Sequence, residues 1–325
     1  MSGRDIGASV RRRLLNKSRT QGHPFQELLQ YFAMERFLYR LAKSPYSDRF
    51  VLKGALLLTA WRAPQSRPTM DIDLEGRVNN QLDHIKEVVA TVCEVDVEPD
   101  GIAFNRTSIE VSRIKEDADY EGVRVQFHAT LARARIPMQL DIGFGDVITP
   151  GPTDVEYPSL LDFPAPMLRA YPKETVVAEK LEALTALGLL NSRMKDFYDL
   201  ALLSRMYAFE GERLVNAISA TFRHRVTTVE AEPIGLTQAY CDDPARAIQW
   251  RAFVRRSRFS EEAGELVRLV TEIRQFALPM RFSDSRGEPI QSSLEAGRPL
   301  GVRSRIIRVG PGSINCGRFP SDARG

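Results

Sequence analysis

The sequence predicts an α+β fold, in which helices and a mixed sheet with flanking helices come first and a helical bundle domain follows. Three observations lead to this prediction. Apolar residues alternate with period two in segments between residues 50 and 142, as expected of strands with one buried face. Helical spacing dominates before residue 44 and after residue 172. A run of prolines between residues 150 and 166 separates the strand-rich part from the second helical part.

The first part of the chain is predicted to be helical from about Gly7 to Lys43, because apolar residues such as Phe25, Leu28 and Phe32 recur at helical spacing. The next segments are predicted as a break, a strand that leads into a glycine turn, a short helix and a loop, at Ser44–Ser47, Phe50–Leu52, Ala55–Trp61 and Arg62–Thr69.

The sheet is predicted from one strand at Met70–Leu74, a helix at Asp83–Cys93, and three later strands. Those strands are predicted at Ile109–Ile114, Val123–Leu131 and Ile136–Ile142. A turn at Lys115–Gly122 is predicted to join the first two of them. Pro137 lies within the last strand. Because proline cannot donate a ladder hydrogen bond, it favours an edge position or the start of the strand.

Four parts of the chain follow from these elements: an N-terminal helical region (1–48), a mixed-sheet core (49–160), a helical domain (161–280) and a disordered tail (281–325). The proline-rich connection provides the main boundary. The helical domain is predicted to contain five helices, at Lys173–Leu190, Met194–Arg205, Gly211–Phe222, Leu236–Arg255 and Glu261–Phe276. The tail is rich in Gly, Ser, Pro and Arg without a lasting period, which is typical of disorder.

Composition excludes several classes of protein. The net charge is only +3, and the tail from Arg281 carries eight Arg against four acidic residues, so overall charge does not favour nucleic-acid binding by the body. Three widely spaced cysteines form neither a metal motif nor a disulfide framework, which favours a reducing, cytoplasmic location. No apolar run is long enough for a membrane helix, so no membrane association is predicted.

Asp71 and Asp73 are the first candidates for chemistry. They are one residue apart on a predicted strand, so their side chains share a face. Two convergent carboxylates suit Mg²⁺, which prefers oxygen ligands and is commonly shared with substrate phosphates. Gly54 and Ala55, at a turn that opens a helix, offer backbone N–H groups to an anionic phosphate. Together these features predict nucleotide chemistry, whereas the pair alone is also typical of a solvated strand end.

Asp141 is a candidate third carboxylate. Its position in a later strand turns it away from the core residues Met138, Leu140 and Ile142. Facing the first pair, it would complete a metal site and could accept the proton of an attacking hydroxyl. The alternative is an aspartate at a strand end before a glycine-rich turn.

The helical half offers a second set of charged residues, Lys180, Asp196 and Asp199. Lys180 is predicted at the rim of a cleft, where it would clamp a triphosphate, with Asp196 orienting it. Lys195 and Asp199 are four residues apart on the same predicted helix and could form an ion pair. A solvated ion-pair network is the alternative. Two further cations, Lys53 before the glycine turn and Arg67 in the following loop, are predicted phosphate contacts, or otherwise surface residues.

Four segments of the chain, in this order, resemble the motifs of the AbiEii/AbiGii toxin family: Leu52–Ala55, Arg67–Leu74, Ala178–Leu181 and Lys195–Leu200. The resemblance covers roughly residues 25–276. It implies a nucleotidyltransferase fold of the DNA polymerase β superfamily, followed by a helical domain, with an NTP held between them. The family usually has Gly-Gly or Gly-Ser where this chain has Gly54-Ala55, so phosphate binding should survive in weakened form.

By this resemblance, Gly54 matches the phosphate-turn glycine, Asp71 and Asp73 the metal carboxylates, Lys180 the lysine of the third motif, and Asp196 the aspartate of the fourth. It implies a Mg²⁺-dependent transfer from an NTP, either GTP or a pyrimidine NTP, to an RNA acceptor such as the tRNA 3′ end, which would block growth or phage propagation. The partner would be a winged-helix antitoxin from an adjacent gene, without a stable complex. A protein acceptor and a non-catalytic nucleotide- or partner-binding module are the alternatives.

Overall fold

The computed structural model describes residues 3–63, 67–117, 120–257 and 264–278. The predicted tail from residue 281 lies outside these ranges. Within them, the strands form one seven-stranded sheet: β1 (Phe50–Lys53), β2 (Ile72–Gly76), β3 (Ile102–Asp117), β4 (Tyr120–Leu131), β5 (Ala134–Phe144), β6 (Thr153–Glu156) and β7 (Met167–Ala170).

The sheet has the strand order β3-β4-β5-β2-β1-β7-β6 and is mixed. β2 runs parallel to β5 and β1 runs parallel to β7, while the other neighbours are antiparallel. Parallel neighbours need a crossover connection, and here the chain between them carries helices or further strands. The predicted α+β class with a mixed sheet is therefore confirmed.

The helices lie before, within and after the sheet: α1 (Gly3–Gln21), α2 (Phe25–Lys43), α3 (Leu56–Ala60), α4 (Leu82–Cys93), α5 (Lys173–Leu187), α6 (Met194–Met206), α7 (Gly211–His224), α8 (Gln238–Asp242), α9 (Pro244–Ser257) and α10 (Leu266–Ala277). Across the described ranges, no helix combines the length and the apolar character that a membrane crossing requires.

Helix α2 lies in the centre of the N-terminal half, and most of its residues are buried. Its two arginines are buried as well, so they need partners. Arg36 Nε lies 3.0 Å from Asp100 Oδ2, and Arg40 Nη1 lies 2.7 Å from the same oxygen. This buried group ties α2 to the segment immediately before β3.

Two predictions about the sheet need correction. The predicted turn at Lys115–Gly122 is too long, because β3 continues to Asp117 and β4 begins at Tyr120, although the two strands do pair as the predicted hairpin. Pro137 does not lie on an edge strand, because β5 runs between β4 and β2. The alternative, a place near the start of the strand, is correct. Pro137 is the fourth residue of β5 and precedes the pairing with β2, which begins at Leu140.

The proline-rich connection is not wholly irregular, since β6 lies within it and β7 directly follows it, and both strands join the sheet. The sheet thus continues past the predicted boundary at residue 160, and the division into domains stays a prediction. Three helices also differ. α5 ends at Leu187, where Gly188 takes a φ of +46°. The single helix predicted over residues 236–255 is two helices, α8 and α9, and α10 begins at Leu266.

Candidate active site

Four charged residues form one row across neighbouring strands. Lys53 of β1 lies opposite Asp73 of β2, Asp73 lies opposite Asp141 of β5, and Asp141 lies opposite Arg124 of β4. Directly opposite residues in a sheet place their side chains on the same face. Asp71 is the residue immediately before β2 and lies beside this row. The strand register therefore brings the three predicted carboxylates together from separate parts of the chain.

The other face of the same strands forms the core. Ile72 and Leu74 of β2 are buried, as are Leu140 and Ile142 of β5. This alternation is what the sequence pattern predicts, and it holds the carboxylates in place because a slip of one residue would turn every apolar side chain outward.

The carboxylates of Asp71, Asp73 and Asp141 each have an oxygen within 4.8 Å of the other two. Burial, and next the charge of Asp71, raises the pKa of Asp73 to about 6. Like charges held this close favour an added cation, and a set of carboxylate oxygens matches the ligands that Mg²⁺ takes in proteins. The residues present therefore fit a hard divalent cation.

Neighbouring side chains hold two of these carboxylates in position. The Thr69 hydroxyl donates a hydrogen bond to Asp71, and the Thr69 N–H donates to the Tyr31 hydroxyl at 3.2 Å. Arg124 donates two hydrogen bonds to Asp141, from Nε at 2.8 Å and from Nη2 at 2.7 Å. This two-pronged geometry fixes the orientation of the carboxylate.

The backbone of Gly54 lies close against the side chain of Asp73. It follows β1 with a φ of +71°, and a Cβ built on it would lie 1.9 Å from Asp73 Oδ2. Any side chain here would displace the Asp73 carboxylate. Ala55 is buried behind the turn, and the helix that follows has only five residues, so its dipole contributes little to anion binding. The turn therefore acts mainly by making room for Asp73.

A wall of cations from α5, the start of α6 and the loop before β2 faces the carboxylates. Lys180 Nζ lies 2.7 Å from Asp196 Oδ1 and 2.9 Å from Asp199 Oδ2. Arg67 Nε lies 3.2 Å from Asp199 Oδ1, and Arg193 Nε lies 2.9 Å from Asp196 Oδ2. Burial opposes the charge on Lys180, but Asp196 and Asp199 together raise its pKa. These three cations are thus paired with two buried aspartates.

Lys195 belongs to the same wall but behaves differently. The predicted pairing of Lys195 with Asp199 is wrong, because Asp199 is taken by Arg67 and Lys180. Within the part of the chain that the structure describes, Lys195 has no ion-pair partner, and its side chain is exposed at the cavity. The surrounding protein keeps part of the solvent away from the Lys195 ammonium group even though the side chain opens to the cavity. This desolvation, and next the positive charge of Arg67, lowers the pKa of Lys195. An anion such as a phosphate would relieve this crowding of positive charge.

A cavity of about 660 Å³ separates the carboxylates from the cationic wall. This volume is in the range of pockets that hold small molecules and cofactors. Its lining includes most of the residues that the sequence singled out: Lys53, Gly54, Arg67, Asp71, Asp73, Asp141, Lys180 and Asp196. Asp199 lies directly behind Lys180 and Arg67.

Lys53 also belongs to a buried group of charges where the sheet meets the helical half. Its Nζ lies 2.9 Å from Asp146 Oδ2, and Arg225 Nη2 lies 3.3 Å from the other oxygen of Asp146. Arg225 Nη1 lies 2.9 Å from Glu182 Oε2. The remaining members, which complete what we call the sheet–helix ion cluster, are Glu75 and Glu179.

The sheet–helix ion cluster predicts a dependence of stability on pH. Burial, and next the charge of Asp146, raises the pKa of Glu179 from 4.5 to about 7. The folded protein therefore holds this proton where the unfolded chain has lost it, so the contribution of Glu179 is complete below about pH 4.5 and is lost as pH rises through about 7. Although burial opposes it, the charge of Lys53 lowers the pKa of Asp146. The contribution of this carboxylate to stability is therefore lost only under more acidic conditions.

We expect Glu179→Gln to make the free energy of unfolding less dependent on pH between 5 and 7.5, because glutamine cannot ionise. Urea denaturation at several pH values measures this. Glu87→Gln, at an exposed position on α4, is the matched control and should leave the wild-type slope unchanged. An unaltered slope in Glu179→Gln would show that this carboxyl group does not titrate in that range.

Comparison with known proteins identifies the family. A family profile described as nucleotidyl transferase AbiEii toxin, type IV toxin–antitoxin system, matches residues 36–276. This chain belongs to the AbiEii family. The predicted resemblance is confirmed, and with it the assignment of this AbiEii protein as a toxin-family nucleotidyltransferase. No curated protein matches the sequence.

Two solved structures, both from Helicobacter pylori, are similar to this AbiEii chain. One, described as a candidate nucleotidyltransferase, is 16% identical with a TM-score of 0.44, and the match covers 78% of this chain and 94% of that one. The other, JHP933, is 16% identical with a TM-score of 0.45, and the match covers 78% of this chain and 91% of that one.

Sequence reasoning missed several residues of the AbiEii cavity: Arg124, Tyr171, Glu179, Arg193, Lys195 as a cavity residue, and Arg225. Arg124 was detectable, because it alternates with the core residues Val123 and Val125 and so shares its face with the carboxylates. Arg225 gave no such signal, since it ends a helix distant in sequence. The roles assigned to individual site residues stay predictions.

Proposed function

We propose that this AbiEii nucleotidyltransferase transfers a nucleoside monophosphate from an NTP to an RNA acceptor. One observation carries the proposal: three convergent carboxylates face a wall of lysine and arginine side chains across a cavity of about 660 Å³. A triphosphate bound with a divalent cation needs both kinds of surface, one for the cation and one for the phosphate oxygens.

Asp71, Asp73 and Asp141 would hold Mg²⁺, which when bound supplies charge neutralisation between the carboxylates and the phosphates. The chain's own contribution begins with the cationic wall. Lys195 and Arg193 would contact the triphosphate directly, and Lys180, fixed by Asp196 and Asp199, would offset the charge that develops on the leaving pyrophosphate.

The acceptor hydroxyl would approach the α-phosphorus from the side of Asp141, which would accept its proton. A bond then forms between the hydroxyl oxygen and the α-phosphorus, and the bond from that phosphorus to the bridging oxygen breaks, releasing pyrophosphate. Gly54 contributes by leaving room for Asp73, so that the carboxylate stays close to its two neighbours.

For the biological setting, we propose the tRNA 3′ end as acceptor, GTP or a pyrimidine NTP as donor, and arrest of growth or of phage propagation as the result. The family description, a toxin of a type IV toxin–antitoxin system, supports an antitoxin partner. We propose a winged-helix antitoxin that forms no stable complex with this chain.

The test is incorporation of each of the four NTPs, labelled at the α-phosphate, into total RNA with Mg²⁺. We expect label from one NTP in a tRNA-sized band with the wild type, and none with Asp71→Asn/Asp73→Asn, because the amides keep the shape but lose the charge. Thr69→Val, which removes only a hydrogen bond to Asp71, is the control and should retain partial activity.

Other results would select an alternative. Label that resists nuclease but not protease would mean that the acceptor is a protein side chain. Binding of NTP without release of pyrophosphate in any mixture would mean a non-catalytic nucleotide-binding module. Equal labelling by the wild type and by the double variant would contradict the role of the carboxylates.

A further inference from the structure

Strands β4 and β5 extend well beyond the carboxylates. The pairing of β2 with β5 begins at Leu140, whereas β4 and β5 remain paired as far as Leu131 and Ala134. Residues 134–139 of β5 and their partners in β4 therefore form an arm of sheet that leads away from the cavity. At about 3.4 Å per residue, this arm runs on the order of 20 Å from Asp141 to its tip.

The two faces of this arm differ sharply. Phe127 and Ala129 of β4 and Ile136 and Met138 of β5 are buried in the core. The opposite face is mostly polar and is accessible to solvent, with Gln126, Arg135 and the one apolar member, Pro137, exposed. We call this surface the open strand face and define it by six residues: Arg124, Gln126, His128, Arg135, Pro137 and Gln139.

The open strand face is continuous with the active site. Arg124 lies opposite Asp141, and the next pair on the same face is Gln126 opposite Gln139. Gln126 Nε2 donates to Gln139 Oε1 at 3.3 Å, and Gln139 Nε2 donates to Asp141 Oδ2 at 3.2 Å. An unbroken set of polar groups thus leads outward from the carboxylate on which the acceptor hydroxyl would be placed.

The charge of the face favours an anionic partner. Arg124 is 37% exposed even while it binds Asp141, and Arg135 Nη2 lies 3.2 Å from His128 Nδ1 near the tip. Two acidic residues of the described strands lie beside this face: Asp141, which pairs with Arg124, and Glu110 of β3, which lies opposite Gln126. Two arginines at the two ends, with amide donors and acceptors between them, suit a phosphate backbone more than a carboxylate-rich protein segment.

We propose that the open strand face binds the single-stranded 3′ segment of the RNA acceptor, with its last phosphate on Arg124 and its upstream backbone towards Arg135. This assignment rests on the proposed function. In the proposed function the cationic wall lies on the pyrophosphate side of the cavity, and in-line transfer requires the acceptor to enter from the opposite side. β4 provides that side, because it lies next to Asp141 and away from β2.

The test is the salt dependence of binding of a short, unstructured, fluorescent oligoribonucleotide with a free 3′ hydroxyl, measured by anisotropy. For single strands, each phosphate contact contributes about 0.7 to the slope of log affinity against log salt. We expect Arg135→Gln to lower the slope by about 0.7 and Arg124→Gln/Arg135→Gln by about 1.4. Arg77→Gln, an exposed arginine after the far end of β2, is the matched control and should keep the wild-type slope.

Nucleotide transfer by the wild type, measured in parallel, separates this proposal from the proposed function. If RNA is labelled but both variants keep the wild-type slope, the open strand face is not the acceptor surface, although the function stands. If label enters protein and the oligoribonucleotide does not bind, both proposals fall. A reduced slope in the two variants together with labelled RNA supports both.

Discussion

Gly54→Ala is expected to lower nucleotide transfer by about a hundredfold or more, because a misplacement of a reacting group by about 1 Å has effects of that size. The added methyl group would lie 1.9 Å from Asp73 Oδ2 and 2.7 Å from Asp73 Cβ. Rotation of the carboxylate alone cannot relieve the second contact. The strand or the turn must move, and Asp73 must separate from Asp71 and Asp141.

Gly22→Ala is the matched control for this substitution. Gly22 has a φ of +72°, nearly that of Gly54, but an added Cβ there meets nothing within 4 Å. Both variants carry a similar backbone strain of about 1–2 kcal/mol, so only the collision with Asp73 differs. Transfer rates and thermal unfolding of the two variants, measured side by side, separate strain from displacement. Equal activity of the two variants would show that Asp73 tolerates the shift.

Arg225→Met is expected to reduce the free energy of unfolding by about 3–5 kcal/mol, the usual cost of removing one partner from a buried ion pair. Arg225 lies 2.9 Å from Glu182, 3.3 Å from Asp146 and 3.6 Å from Glu179, and its side chain is only 17% exposed. Methionine fills much of the volume but leaves three carboxylates to repel one another, with Lys53 as the nearest remaining cation of the cluster.

Arg106→Met provides the comparison for this loss. Arg106 pairs with Glu94, and both side chains are more than half exposed, at 58% and 54%. Exposed pairs contribute about 0–1 kcal/mol, so this variant should unfold close to the wild type. Urea denaturation at pH 7 and at pH 5 gives the values, and the loss in Arg225→Met should shrink at pH 5 as Glu179 takes up a proton. A loss under 1 kcal/mol would contradict the structural role of the cluster.

The sequence alone predicted those elements whose position depends on the local spacing of apolar residues. Alternation in β2 and β5 predicted that Asp71, Asp73 and Asp141 leave the core on one face, and the register then places their oxygens together. Helical spacing likewise located α4, α6 and α7 to within one or two residues of their observed ends.

Contacts between distant segments could not be predicted in this way. Lys195 and Asp199 had the spacing of a helical ion pair, but Asp199 is held by Lys180 from α5 and Arg67 from the loop before β2. Two stronger, buried partners outweigh one exposed neighbour on the same helix, since burial increases the interaction between charges. Lys53 and Arg225 meet on Asp146 only because the sheet and α7 are packed together.

Lys53 stands opposite Asp73 in the strand register, and its ammonium group ends on Asp146 in the sheet–helix ion cluster. One side chain therefore ties the floor of the cavity to the contact between the sheet and the helices that form the opposite wall. We therefore expect the width of the cavity to be the same before and after a nucleotide binds. A site of this kind would avoid the ordering that a closing cleft requires on binding, and we expect it to select among nucleotides by fit to a fixed shape.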